Sequence, residues 1–101
     1  MSTSLEISGE AARIILTGAL DFSIQDDLRQ IIDETLDHKK IKVITVDMAN
    51  VTFMDSSAIK LLLLLNKKAI EEDKSLTLVN CRDSIREIFT IGGFDNILTI
   101  Q

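Results

Sequence analysis

The chain contains no proline, no tryptophan and no tyrosine, and a single cysteine and a single histidine stand among its 101 residues. The lone Cys81 excludes an internal disulfide and a cysteine-built metal cluster, which fits a reducing, cytoplasmic setting. With four phenylalanines as its only aromatics, the core must be built from Leu, Ile and Val. Nothing in the composition marks a linker, a repeat or a low-complexity tract, so residues 1–101 read as one domain. Basic residues are outnumbered 11 to 16 and scattered, leaving a net charge of -5. No cationic stripe is available to follow a phosphate backbone, which argues against nucleic acid as a partner. Met1 to Ser8 shows no basic segment followed by an apolar run, so no signal peptide is expected. The longest leucine run, Leu61 to Leu65, falls far short of the roughly 20 apolar residues a bilayer span takes, so no direct membrane insertion is expected.

What is present is 46% hydrophobic content, distributed with clear periods. Leu5 and Ile7 alternate with polar neighbours, Gly9-Glu10 offers a turn, and Arg13 to Thr17 follows, predicting an opening hairpin. Gly18-Ala19-Leu20-Asp21-Phe22 ends the second strand. Ser23 is then placed to cap a helix, with Asp26 three residues on and Asp27 beside it near the positive end of the dipole. Ile24, Leu28, Ile31, Ile32 and Leu36 fall on one face of that helix, and His38, Lys39 and Lys40 close it. Val43, Ile44 and Val46 have the composition of a strand buried on both faces, ending at Asp47. Glu71 to Lys74 reads as a surface connection and Leu76 to Val79 as a strand. A third helix starts near Asp83 or Ser84, with Ser84 and Glu87 at capping-box spacing, buries Ile85, Ile88 and Phe89, and stops at Gly92, which can supply the left-handed residue there. Ile97 to Ile100 reads as a last short strand. The order β-β-α-β-α-β-α-β implies an α/β domain whose helices pack on a mixed, mostly parallel sheet.

The stretch Val51 to Ala58 carries an acid and two hydroxyls, Asp55, Ser56 and Ser57, into the longest helix. At 100° per residue, Ala58, Ile59, Leu62, Leu65 and Ala69 face the sheet, while Lys60, Lys67, Glu71 and Lys74 face away. Leu61 and Leu64 flank the polar face in this wheel, either as ordinary exposed leucines or as a strip that meets a partner.

Three chemistries are poorly supported. A serine nucleophile needs a base within reach, and the sole histidine, His38, lies at the end of another helix, where it suits the helix dipole. A phosphoaspartate receiver would use Asp47, but the acidic pair after the first strand and the lysine after the last are missing. A phosphate-cradling glycine loop is also missing, because Gly92-Gly93 follows a helix rather than opening one. No catalytic residue, metal site or cofactor is therefore assigned, and no enzymatic activity is expected. Capping by itself accounts for Asp55-Ser56-Ser57, since an N-cap prefers these residue types.

The stretch Phe53-Met54-Asp55-Ser56-Ser57, preceded by Asp47 on a hydrophobic strand and followed by a leucine-rich helix, resembles the signature of the STAS superfamily, specifically the bacterial anti-sigma factor antagonists. Gly18-Ala19-Leu20-Asp21 is similar to the family's Gly-x-Leu-Asp after the second strand. Ile88-Phe89 followed by Gly93-Phe94 is similar to its third helix and Gly-apolar turn. The resemblance spans nearly the whole chain. It implies a regulator of transcription acting by partner switching. Unphosphorylated, it binds an anti-sigma factor that is also a serine kinase of the histidine-kinase-like ATPase type. Phosphorylation releases it, and a PP2C-type phosphatase reverses the change. The resemblance places the phosphoacceptor at Ser56, with Ser57 as second choice, and puts Asp21, Asp55 and Ser57 on the contact surface, to which the helical wheel adds Leu61 and Leu64. Ala58 stands where the family often has Gly. The alternative is a STAS scaffold, or an accessory subunit of a transporter or other regulatory complex, that is never phosphorylated.

Overall fold

The structure, a computed structural model, describes residues 2–101. Strands β1 (Ser2–Ser8) and β2 (Ala11–Leu20) form the expected antiparallel hairpin. Its two-residue loop opens on Gly9 with φ 60°, a sign of φ that a non-glycine residue adopts only at a cost. A 3-10 turn, Phe22–Ile24, leads into helix α1 (Gln25–Asp37). Strand β3 (Val43–Met54), helix α2 (Ser56–Glu71), strand β4 (Ser75–Val79) and helix α3 (Asp83–Ile91) follow. The sheet order is β1-β2-β3-β4, with β2, β3 and β4 mutually parallel. The α/β fold read from the sequence is the fold observed.

Helices cover one face of the sheet. In-register triplets Ala12, Ile44, Leu76 and Ile14, Val46, Leu78 are buried beneath them. The intervening Arg13, Thr45, Asp47 and Thr77 stay half-exposed on the other face. Hence β3 is not buried on both faces as expected: Val43 is 47% exposed while Ile44 and Val46 are buried. Its β-branched content reflects strand propensity rather than a second covering layer.

Strand β3 also does not end at Asp47 but runs to Met54. Between Ile15↔Asp47 and Thr17↔Asn50, and again between Gly18↔Val51 and Ala19↔Phe53, it gains one residue on β2. These are bulges, and each breaks the period of two that would have revealed the continuation. Gly18, at φ 89°, supplies the left-handed residue beside the second shift.

Four further expectations are corrected. Ser23 does not cap α1: Asp21 caps the preceding 3-10 turn, and α1 starts behind Ile24 with no side-chain cap. Helix α3 starts behind Arg82 without a side-chain cap, so the Ser84–Glu87 capping box does not form. Gly92 is right-handed at φ -79° and Gly93 is the left-handed residue at φ 76°. Ile97 to Ile100 is not a full strand. It follows a 3-10 turn, Phe94–Asn96, and makes one parallel bridge, Leu78↔Ile100. It is held there by Leu78 N–H to Thr99 O and Gln101 N–H to Leu78 O, both 2.9 Å, and by Asn66 Nδ2 to Ile97 O, 3.4 Å.

The Glu71 to Lys74 connection is at the surface except for Lys74. That side chain is buried, and its Nζ donates to the Ile41 carbonyl at 2.7 Å.

Candidate functional site

The ends of β2 and β3 and the N-terminus of α2 meet at one end of the sheet. Leu20 pairs with Met54, and the Asp55 N–H donates to Leu20 O at 3.1 Å. This fixes Asp55 beside the turn after β2. The Asp55 carboxylate accepts the N–H groups of Ser57 (3.0 Å) and Ala58 (3.2 Å) and the Ser57 hydroxyl. The Ser57 hydroxyl contributes most to holding its pKa below the usual carboxylate range. Partial burial opposes this, and the N–H groups of Ala58, Ser57 and Phe22 add to it. Asp55 is therefore an ionised N-cap, satisfying donors that a helix start leaves free.

The two serines differ. Ser57 is half-buried and its hydroxyl is committed to Asp55, whereas Ser56, the first residue of α2, is exposed. The Ser56 hydroxyl makes no side-chain hydrogen bond among the described residues. Ala58 is buried at 2%, so its methyl group contributes to the core at a position where glycine would leave a gap. Asp21 sits on the neighbouring strand end and accepts Ser23 N–H at 2.9 Å together with the Ser23 hydroxyl.

Of the residues expected at the site, Asp21, Asp55, Ser56 and Ser57 are brought together, whereas Leu61 is buried and is not a surface anchor and Leu64 keeps part of its surface exposed. Leu61 is 3% exposed and Leu64 packs partly buried against the core. The wheel allowed α2 one covering neighbour, the sheet. In the fold α1 also packs along α2, which buries the flank carrying Leu61. What the sequence reading missed is a pair of exposed aromatics at this end, Phe22 at 71% and Phe53 at 51%. Their signal was that they frame the two Asp-containing turns.

Other candidate groups lie elsewhere. Helix α1, of 13 residues, starts near the site and ends at His38, about 20 Å away along its axis. Asp47 lies mid-strand on the open face, where Arg13 meets it at 2.8 Å, Asn80 at 3.3 Å and the Ala49 N–H at 3.0 Å. Burial pushes its pKa up, but these hydrogen bonds and the Arg13 charge outweigh that and leave it lowered. Burial pushes the Cys81 thiol up, with Arg86 partly offsetting the effect, so the thiol is not activated for chemistry. Among the described residues no group of His, Cys, Asp and Glu side chains could hold a metal ion, and no helix is long and apolar enough to cross a membrane.

The family model described as Mlab, STAS domain, matches residues 3–99. The chain belongs to the STAS-domain family. A STAS-domain containing protein of Pseudomonas aeruginosa (strain UCBPP-PA14) is 33% identical over 93 residues, covering 92% of this chain and 90% of that protein. Among solved structures, the anti-sigma factor antagonist SpoIIAA in its unphosphorylated form superposes with a TM-score of 0.77 at 23% identity, over 99% of this chain and 87% of that one. An anti-sigma factor antagonist from Mycobacterium paratuberculosis superposes with a TM-score of 0.87 at 20% identity, over 98% and 83%. At these identities the two structures establish a shared STAS fold.

Proposed function

We propose that this STAS-domain protein is an anti-sigma factor antagonist in a cytoplasmic partner-switching circuit, a non-enzymatic regulator of transcription whose switch is phosphorylation of Ser56. Unphosphorylated, it binds an anti-sigma factor that is also a serine kinase of the histidine-kinase-like ATPase type. Phosphate on Ser56 releases it, and a PP2C-type serine phosphatase resets it. The observation that carries this reading is the contrast between an exposed Ser56 hydroxyl and a Ser57 hydroxyl tied to Asp55. The names of the SpoIIAA and mycobacterial structures support the choice of circuit.

The geometry lets a phosphate act on binding while sparing the fold. Phosphoserine carries about -1.5 to -2 charges at neutral pH. The N–H groups of Ser57 and Ala58 already serve Asp55, so the phosphate projects outward from the helix start instead of capping it. Seated in an interface, that charge must be desolvated, at several kcal/mol per ion when no cation receives it. Since each 1.4 kcal/mol is tenfold, a net cost of about 3 kcal/mol weakens binding by roughly a hundredfold.

The test is to incubate the protein with a candidate partner kinase and ATP and to map phosphate by mass spectrometry. Phosphate on Ser56, lost in Ser56→Ala and kept in Ser57→Ala, supports the reading. No phosphate on either serine, together with co-purification with a membrane ATPase, favours an accessory subunit of a transporter instead.

A further inference from the structure

Strands β2 and β3 finish alike. After the paired Leu20 and Met54, Asp21 (φ -106°, ψ -172°) and Asp55 (φ -104°, ψ -179°) share one extended conformation. Each accepts both the N–H and the hydroxyl of the serine two residues on, Ser23 and Ser57. The residue between aspartate and serine is therefore presented in the same way by both strands. On β3 it is Ser56 and on β2 it is Phe22. Paired strands lie about 4.8 Å apart, so Phe22 and Ser56, each two residues beyond the paired Leu20 and Met54, leave the sheet side by side.

Folding does not account for that ring. The chain has four phenylalanines and no other aromatic residue. Phe89 is fully buried and Phe94 packs against the core, yet Phe22 and Phe53 stay 71% and 51% exposed at the same end of the sheet. The charges around them are mainly acidic. Asp21 precedes Phe22, Asp26 and Asp27 occupy the first turn of α1, and Asp55 caps α2, with Lys60 the cation one turn into that helix.

We infer that Phe22 anchors a protein partner over Ser56, its ring seated in an apolar recess with a cationic rim, and that Phe53 extends the contact. The inference rests on reading the Ser56 end of the sheet as the switched surface. Aromatic anchors in fully desolvated pockets carry most of the energy of many interfaces. The acidic surround selects the basic rim by charge complementarity. A phosphate on Ser56 then lies beside the anchor, where seating the ring desolvates the new charge.

The experiment starts from the partner retained by the wild-type protein, purified and titrated calorimetrically against wild type, Phe22→Leu, Phe22→Ala and Phe22→Lys. Phe22→Ala is expected to weaken binding by about thirtyfold and Phe22→Leu by much less. Phe22→Lys should bind weakly because its charge meets the cationic rim, and as a long exposed side chain it guards against a folding defect in Phe22→Ala. All variants should melt with wild type. Binding of Phe22→Ala within about twofold of wild type overturns the proposal, as does failure of the wild type to retain any partner. If Phe22→Ala binds normally while phosphate on Ser56 abolishes binding, the anchor is wrong and the switch stands. If Phe22→Ala loses binding but Ser56 never accepts phosphate, the anchor stands and the switch fails.

Discussion

The Asp55 N–H donates to Leu20 O at 3.1 Å, so the residue that caps α2 is also tied to the end of β2. One residue thus fixes the first turn of the helix bearing Ser56 through its side chain and the strand end before Phe22 through its backbone. Asp55→Ala frees the N–H groups of Ser57 and Ala58 at once. A drop of about 4–8 °C in melting temperature is expected by differential scanning calorimetry, as for loss of a helix cap in a domain of this size. A melt unchanged from wild type would show that the cap contributes nothing.

The same carboxylate predicts a pH dependence. Its folded pKa lies below the ordinary value, so its contribution to stability is fully present above about pH 4 and is lost as pH falls through the lowered folded value. Melting temperatures of wild type and Asp55→Asn, followed from about pH 5 down to pH 2, should converge. Asp47, also lowered, titrates in the same direction in both proteins, so the difference between them isolates Asp55.

Gly18 holds φ 89° at the second bulge of the β2–β3 pair. Gly18→Val forces a β-branched side chain into that conformation and should cost about 1–3 kcal/mol in denaturant unfolding. Gly9→Asn, at an exposed loop with φ 60° and nothing within 4 Å of an added Cβ, should cost much less, because Asn tolerates left-handed backbone.

Leu61, buried beneath α1, gives the clearest contrast with the helical wheel. Leu61→Ala should destabilise by about 2–5 kcal/mol, whereas Ile70→Ala, at a position 65% exposed on the same helix, should stay within about 0.5 kcal/mol of wild type. Equal effects at the two positions would contradict the packing described.

The hairpin, the three helices and the parallel β3–β4 pair were legible because their apolar residues keep a steady period. The far half of β3 was not, because two bulges interrupt the alternation between Asp47 and Met54. Leu61 was misplaced because a wheel drawn for one neighbour cannot show that α1 packs on a second flank of α2. Asp21, Asp55, Ser56 and Ser57 were legible as a group from the motif they carry. The difference between the two hydroxyls was not, since it depends on which serine reaches back to the Asp55 carboxylate. Phe22 and Phe53 were passed over because an aromatic at a strand end reads as core until its exposure is known.

The most direct measurement is partner affinity with Ser56 unmodified and phosphorylated, taken alongside a thermal melt of both forms. Affinity should fall by roughly a hundredfold on phosphorylation, while the melting temperature stays within a few degrees. Equal affinity of the two forms, or phosphate found on Ser57 with Ser56 untouched, would contradict the account.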